Sequence, residues 1–277
     1  MRKKIILILT ILISCLLAGY FCWSFLMKNN TSPKKLAEEV APNPATSNET
    51  PIVENVSPAE IKTQADQSTE KEAESKSVPT IKIQQVVPFL VQAPFGNWKE
   101  PDFQNACEEA SMIMAMGWAE GEKTISPTEA QKRILDVIAF ENKTFGYSSD
   151  TNAFDIEKVF QQYFKHKNIL VKEDITLAEI KTEIQAGNLV IVPAFGRALK
   201  NPNFTAPGPV AHMLVIIGYD PIAKEFITND PGTRNGAGYH YGENLLFAAI
   251  WAYPSGKEIP PVPKSGKMQK AMLSVSR

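Results

Sequence analysis

Cysteine and histidine are both scarce in this chain, with only three of each among 277 residues. Two of the cysteines, Cys15 and Cys22, sit inside an apolar run near the start, so Cys107 has no partner in the remainder and a structural disulfide within one molecule is excluded. No CxxC or HxxH pair occurs, and single Cys, His and Asp candidates are too few for a structural zinc site. Neither a metal nor a cofactor is expected. Charge of one sign is also lacking. The formal net charge is −1, which leaves no basic excess to hold a nucleic acid. There is no internal repeat.

What is present begins with Arg2, Lys3 and Lys4, followed by an almost unbroken apolar run from Ile5 to Met27. That run exceeds the ~20 residues a membrane-spanning helix needs. The residues after Ala18 are Gly19, Tyr20, Phe21, Cys22 and Trp23, which suit signal cleavage poorly, so residues 1–28 are expected to be a basic start and an uncleaved anchor. The positive-inside rule then places everything after Lys28 outside the cytoplasm, on a single-pass protein of the cell membrane. Secretion through a cleaved signal and a lipoprotein are the alternatives. Leu12-Ile13-Ser14-Cys15 resembles a lipobox, although the residues behind it stay hydrophobic.

Composition divides the rest. Residues 29–85 are dominated by Pro, Ser, Thr, Asn, Glu and Lys with isolated apolar positions, which predicts a disordered linker. Residues 86–254 have the length and patterning of one globular domain with a core. Residues 255–277 open with a Pro-rich stretch and are expected to form a polar tail. Within the domain, Ser126-Pro127-Thr128-Glu129 is a capping box opening a helix through about Phe140, and Thr176-Leu177-Ala178-Glu179 opens another that ends at Gly187. Leu189 to Phe195, His212 to Tyr219 and Glu225 to Thr228 read as strands that pair antiparallel or mixed, and Val86 to Val91 as a further strand.

A free thiol outside a membrane is a liability, and the ordinary fate of an unpaired cysteine is that of a small buried hydrophobe. The surroundings of Cys107 point elsewhere. Asn105 is a good N-cap, and Ala106 to Trp118 carries apolar residues at helical spacing, so Cys107 falls in the first turn of a helix. There the unpaired N–H groups and the helix dipole favour a thiolate. Glu108 and Glu109 suit the same helix end but oppose a thiolate, so a partner cation is required.

His166 ends the amphipathic stretch FDIEKVFQQYFKH and reads as a surface residue, while His240 follows a glycine-rich loop and reads as solvated. His212 stands at the mouth of the strongly apolar strand VAHMLVIIGYD, where a rigid sheet would position it. That strand turns at Gly218-Tyr219-Asp220-Pro221 and returns as a hairpin toward NDPGTR. The return brings Asp230 near the level of His212 and leaves Asp220 at the far end, eight steps of ~3.3 Å away. Taken alone, Asn229-Asp230-Pro231-Gly232 is an ordinary type I turn. Taken together, an activated thiol, an imidazole and a returned carboxylate make nucleophile, base and orienter. The Cys107 N–H offers one oxyanion donor, and Gln92 and Gln104 are candidates for a second.

The stretch VPFLVQAPFGNW with ACEEAS, then GPVAHMLVIIGYD, then FITNDPGTRNGAGYHY, resembles the papain-like peptidases of cysteine peptidase family 39, in particular its broad family 39-like branch, relatives of the leader peptidases of bacteriocin exporters. The resemblance spans roughly Val87 to Ala252. It implies an α+β papain-like fold, a helical half packed on an antiparallel or mixed sheet, with Cys107 as nucleophile, His212 as base, Asp230 as orienter and Gln92 as oxyanion donor. Two departures stand out: Gln92 lies farther before the cysteine than in compact members, which leaves Gln104 open, and Ala106 replaces the glycine that commonly precedes the cysteine.

Three functions compete. The first is a membrane-anchored extracytoplasmic cysteine peptidase acting on a peptide or protein through a thioacyl-enzyme. The second is a peptidoglycan-directed cysteine peptidase or amidase, whose characteristic Asp-Cys-Ser-Gly stretch is absent here. The third is a papain-like module that holds a peptide without cutting it.

Overall fold

The computed structural model describes residues 81–256, 260, 263 and 268–277. The expected anchor at 1–28 and almost all of the expected linker at 29–85 lie outside the described residues. Among the described residues no helix is long and apolar enough to cross a membrane.

A two-residue strand β1 (Ile83–Gln84) precedes four helices: α1 (Pro101–Gln104), α2 (Cys107–Glu120), α3 (Pro127–Phe145) and α4 (Ala153–Gln162). Then come β2 (Ile169–Glu173), α5 (Leu177–Gln185), β3 (Leu189–Phe195), β4 (Ala211–Asp220), β5 (Glu225–Asn229), β6 (Tyr239–Gly242), α6 (Glu243–Ala249) and β7 (Ala271–Val275). The two predicted capping boxes open helices as expected. Ser126 Oγ accepts from the Glu129 N–H at 3.2 Å, and Thr176 with Glu179 forms the reciprocal pair. α3 continues past Phe140 because its stop is Gly146, whose N–H closes on the Asn142 carbonyl.

The strands form one antiparallel sheet in the order β2-β7-β3-β4-β5-β6, with β1 beside β4. Successive residues of a strand point to opposite faces, and here both faces are covered. Leu189 and Ile191 of β3 join Met213, Val215 and Ile217 of β4 in a core with α2, α3 and α4. Val190, Val192, Leu214 and Ile216 join a second core under α5 and α6. This two-sided cover is why LVIVPAF and VAHMLVIIGYD are apolar almost without interruption. Each fully buried Val, Leu or Ile contributes about 1.5–3 kcal/mol relative to exposure.

Four expectations are corrected. Residues 255–277 are not a polar tail outside the domain, because Ala271–Val275 is a fully buried strand lying between β2 and β3. Leu273 and Val275 enter the first core and Met272 the second. The half-buried His166 accordingly is no free surface group, since its Nε2 lies 2.9 Å from the Ser276 carbonyl. Val86 to Val91 is not a strand: pairing stops at Gln84, Pro88 has no N–H to give a ladder, and the carbonyls of Val87 and Pro88 accept from Asn229 Nδ2 instead. Asn105 does not cap α2. It ends the short helix α1, and Ala106 precedes α2 with no side-chain cap.

Candidate active site

Every residue of α2 from Cys107 to Trp118 is buried, so this helix is enclosed rather than amphipathic. Cys107 is its first helical residue and lines an open cleft of about 760 Å³. His212, near the start of β4, lines the same cleft, as do Gln92, Gln104 and Asp150. β4 is held on both sides, by β3 with Ala194 opposite His212, and by β5 with Asn229 opposite Val215.

That second register brings Asp230 back beside His212. His212 Nε2 lies 2.8 Å from Asp230 Oδ1, with the two side chains 1% and 0% exposed. The same oxygen accepts from the Gly232 N–H at 3.0 Å, while Oδ2 accepts from Tyr241 at 2.6 Å and from Asn201 Nδ2 at 3.4 Å. Burial works against ionising Asp230, but His212, Tyr241 and the Gly232 N–H outweigh it and hold the carboxyl below its ordinary range. The NDPG turn is therefore more than a turn. Two glycines permit it: a Cβ at Gly236 would fall 1.8 Å from the Asp230 carbonyl oxygen, and one at Gly232 would fall 2.8 Å from His212 Cε1. Phe204 packs edge-on against the imidazole at 5.2 Å between ring centroids.

Asp220 sits at the opposite end of the hairpin, paired with Glu225, and its Oδ1 accepts from the N–H groups of Ile222 and Ala223. His240 is exposed and paired with Glu225. Neither reaches the cleft.

The thiol departs from expectation. Cys107 Sγ donates to Glu108 Oε2 at 3.0 Å rather than to His212, and Glu108 Oε1 accepts from the Tyr253 hydroxyl at 2.5 Å. Burial, then the charge of Glu108 and its hydrogen bond, push the thiol well above its ordinary value, so in this arrangement Cys107 is protonated. Glu108 itself is raised to about 7 by burial and by Asp150. Sequence reasoning placed Glu108 and Glu109 at a helix end where acids are usually solvated. The signal it missed is the stretch behind them, SMIMAMGWA, which has no polar stripe and so buries the first turn too.

Gln92 is also differently engaged. Its Nε2 donates to the carbonyls of Phe103 at 3.1 Å and Gln104 at 2.8 Å, and its backbone N–H donates to Pro231 at 3.1 Å. It thus ties α1 to the Asp230 loop across the floor of the cleft. The Gln104 side chain is exposed on the cleft wall.

A family model for the Peptidase C39 like family matches residues 84–258. No curated protein matches significantly. Among solved structures, a crystal structure from Bacillus anthracis of a protein assigned as a C39-like peptidase is 16% identical, covers 71% of this chain and 98% of its own, and gives a TM-score of 0.39. A likeness that slight bears on nothing further.

Proposed function

The chain belongs to the Peptidase C39 like family, and from that membership we propose that it is a cysteine peptidase that cuts peptide or protein substrates through Cys107, His212 and Asp230. The observation that carries this reading is the buried 2.8 Å pair of His212 and Asp230 at the edge of the cleft that Cys107 also lines. Because Nε2 is engaged by Asp230, the other ring nitrogen, Nδ1, is the one left to take the thiol proton. Cys107 Sγ then attacks the scissile carbonyl, His212 returns the proton to the departing amine, and water hydrolyses the thioacyl-enzyme by the reverse sequence. As the first residue of α2, Cys107 has an N–H without an intrahelical partner, suited to the oxyanion. Gln92 supplies the second donor by releasing one of its two carbonyls. The anchor at 1–28 would hold the domain at the outer face of the cell membrane.

A second reading has its own support. A protonated thiol engaged by a carboxylate, with the Gln92 amide already occupied, also fits a module that holds peptides without cutting them. Digestion of a peptide library by the wild type and by Cys107→Ala, with a thiol-directed probe alongside, separates the two. The peptidase reading requires cleavage that vanishes in Cys107→Ala; labelling without cleavage supports the binding module.

A further inference from the structure

Glu108 is fully buried one residue beyond the nucleophile, and nothing in the mechanism above uses it. Its two oxygens have different partners. Oε1 is fixed by the Tyr253 hydroxyl, which aims Oε2 at Cys107 Sγ, 3.0 Å away. The titratable groups around it are Cys107 and Glu109 on its own helix, Asp150 from the loop before α4, and Tyr253 behind α6. All are acids, and no lysine or arginine stands among these groups. An ionised Glu108 beside a thiolate is therefore two adjacent buried anions, which the low local dielectric makes costly. A neutral Glu108 beside a thiolate is the opposite case, an O–H donor facing a sulfur acceptor.

We propose that Glu108 is a catalytic residue of this site, which accepts the Cys107 proton bond in the resting enzyme and, when protonated, donates its own O–H to the Cys107 thiolate. This rests on the cysteine peptidase reading. The proton count follows. The reactive state holds two protons on three groups, one on His212 and one on Glu108, with sulfur bare. Losing one of them to solvent leaves one proton, held as Cys107 S–H donating to an ionised Glu108, which is the sense of the 3.0 Å contact between Sγ and Oε2. Within the two-proton state, moving the proton from Sγ to His212 breaks S–H and forms N–H, and the Glu108 O–H then turns to sulfur. After acylation and hydrolysis, the thiolate leaves the acyl carbon into the same hydrogen bond. The site is consequently most nucleophilic on the acid side of the Glu108 titration and falls silent above it. The burial that raises Glu108 to about 7 sets that boundary near neutrality.

The test is the rate of iodoacetamide alkylation at Cys107 against pH in the full chain, read by peptide mapping so that Cys15 and Cys22 do not contribute. The wild type is expected to react about tenfold more slowly at pH 8 than at pH 6, one decade for a pH unit past the boundary. Glu108→Gln keeps the shape and a permanent N–H donor, and is expected to lose that fall. Parallel curves for the two proteins overturn the proposal. A reciprocal measurement guards against a Glu108→Gln protein that does not fold. The Glu108 carboxyl is titrated by 13C NMR in the wild type and in Cys107→Ala, where loss of the thiol donor is expected to move the midpoint upward. An unmoved midpoint overturns the proposal as well. Failure of the peptidase reading shows separately, as no cleavage by the wild type or as cleavage that survives Cys107→Ala, because neither alkylation nor NMR needs a substrate.

Discussion

His212 and Asp230 stand 18 positions apart in sequence yet share a 2.8 Å hydrogen bond, because the hairpin of β4 and β5 returns the chain in a register that sets Asn229 opposite Val215. Four donors converge on the Asp230 carboxylate, so it is locked before any substrate arrives. An imidazole held in this way has one ring nitrogen committed and the other oriented.

Asp230→Asn is therefore expected to lower kcat by ~10²- to 10⁴-fold while Cys107 stays alkylatable, since in the proposed triad the carboxylate orients the base and does not attack. Asp220→Ala removes a turn cap and the surface pair with Lys82, and is expected to lower stability slightly and leave kcat near normal. Steady-state kinetics on both variants, with melting curves, decides. A larger kcat loss in Asp220→Ala contradicts the hairpin assignment.

The two glutamines separate by a paired measurement. Gln92→Ala removes the side-chain donor from the buried Phe103 carbonyl and the part-buried Gln104 carbonyl, and is expected to lose about 1–3 kcal/mol of stability. As an oxyanion donor it should also lose ~10²- to 10³-fold in kcat with little change in KM. Gln104→Ala is expected to change neither by much. If the folded Gln92→Ala enzyme turns over normally and only its melting point falls, Gln92 is a tie between α1 and the Asp230 loop and not part of the reaction.

Much of this was legible because it is local. The capping boxes at Ser126 and Thr176, the apolar strands, and the return of Asp230 to His212 all follow from residues within one element or one hairpin. What was not legible depends on distant partners. β7 is five residues without alternation because both its faces meet a core, and nothing near Ala271 announces β2 or β3. The acceptors of Gln92 belong to α1, a single turn inside a stretch that reads as an insertion. Glu108 reads as a favourable first-turn acid until the rest of α2 is seen to be enclosed.

Stability should depend on pH in a specific direction. The carboxyls of Glu109 and Glu141 lie against each other, and the Glu109 oxygens and Glu141 Oε2 have no other partner among the described residues, so a shared proton is what satisfies them. Burial raises both, Glu141 to about 7. Folded values above the unfolded ones mean that this contribution is whole below the ordinary carboxylate range and is lost as pH rises through about 7, by roughly 3 kcal/mol for such a shift. The lowered Asp230 works oppositely and loses its contribution only as pH falls through its folded value. The urea midpoint is expected to be higher at pH 5 than at pH 8, and Glu141→Gln should shrink the difference, leaving the part that the raised Glu108 contributes. Equal midpoints in the wild type contradict the shared proton.

The proposed anchor has a simple assay. A retained apolar helix at Ile5 to Met27 keeps the protein with membranes in high salt, because ions do not screen apolar burial. N-terminal sequencing should then find Met1 or Arg2. A mature chain beginning at Cys15, or near Lys28, points to a lipoprotein or a cleaved signal.

The place of β7 in the sheet governs the order of events during synthesis. Its neighbours β2 and β3 emerge from the ribosome long before it, and they cannot be joined through it until Ala271–Val275 has been made. Pairings between such distant parts of the chain close slowly, and the partial sheet meanwhile presents open edges. A molecule cut short before Ala271 lacks the strand that joins β2 to β3, and is marked for proteolysis by its own incompleteness.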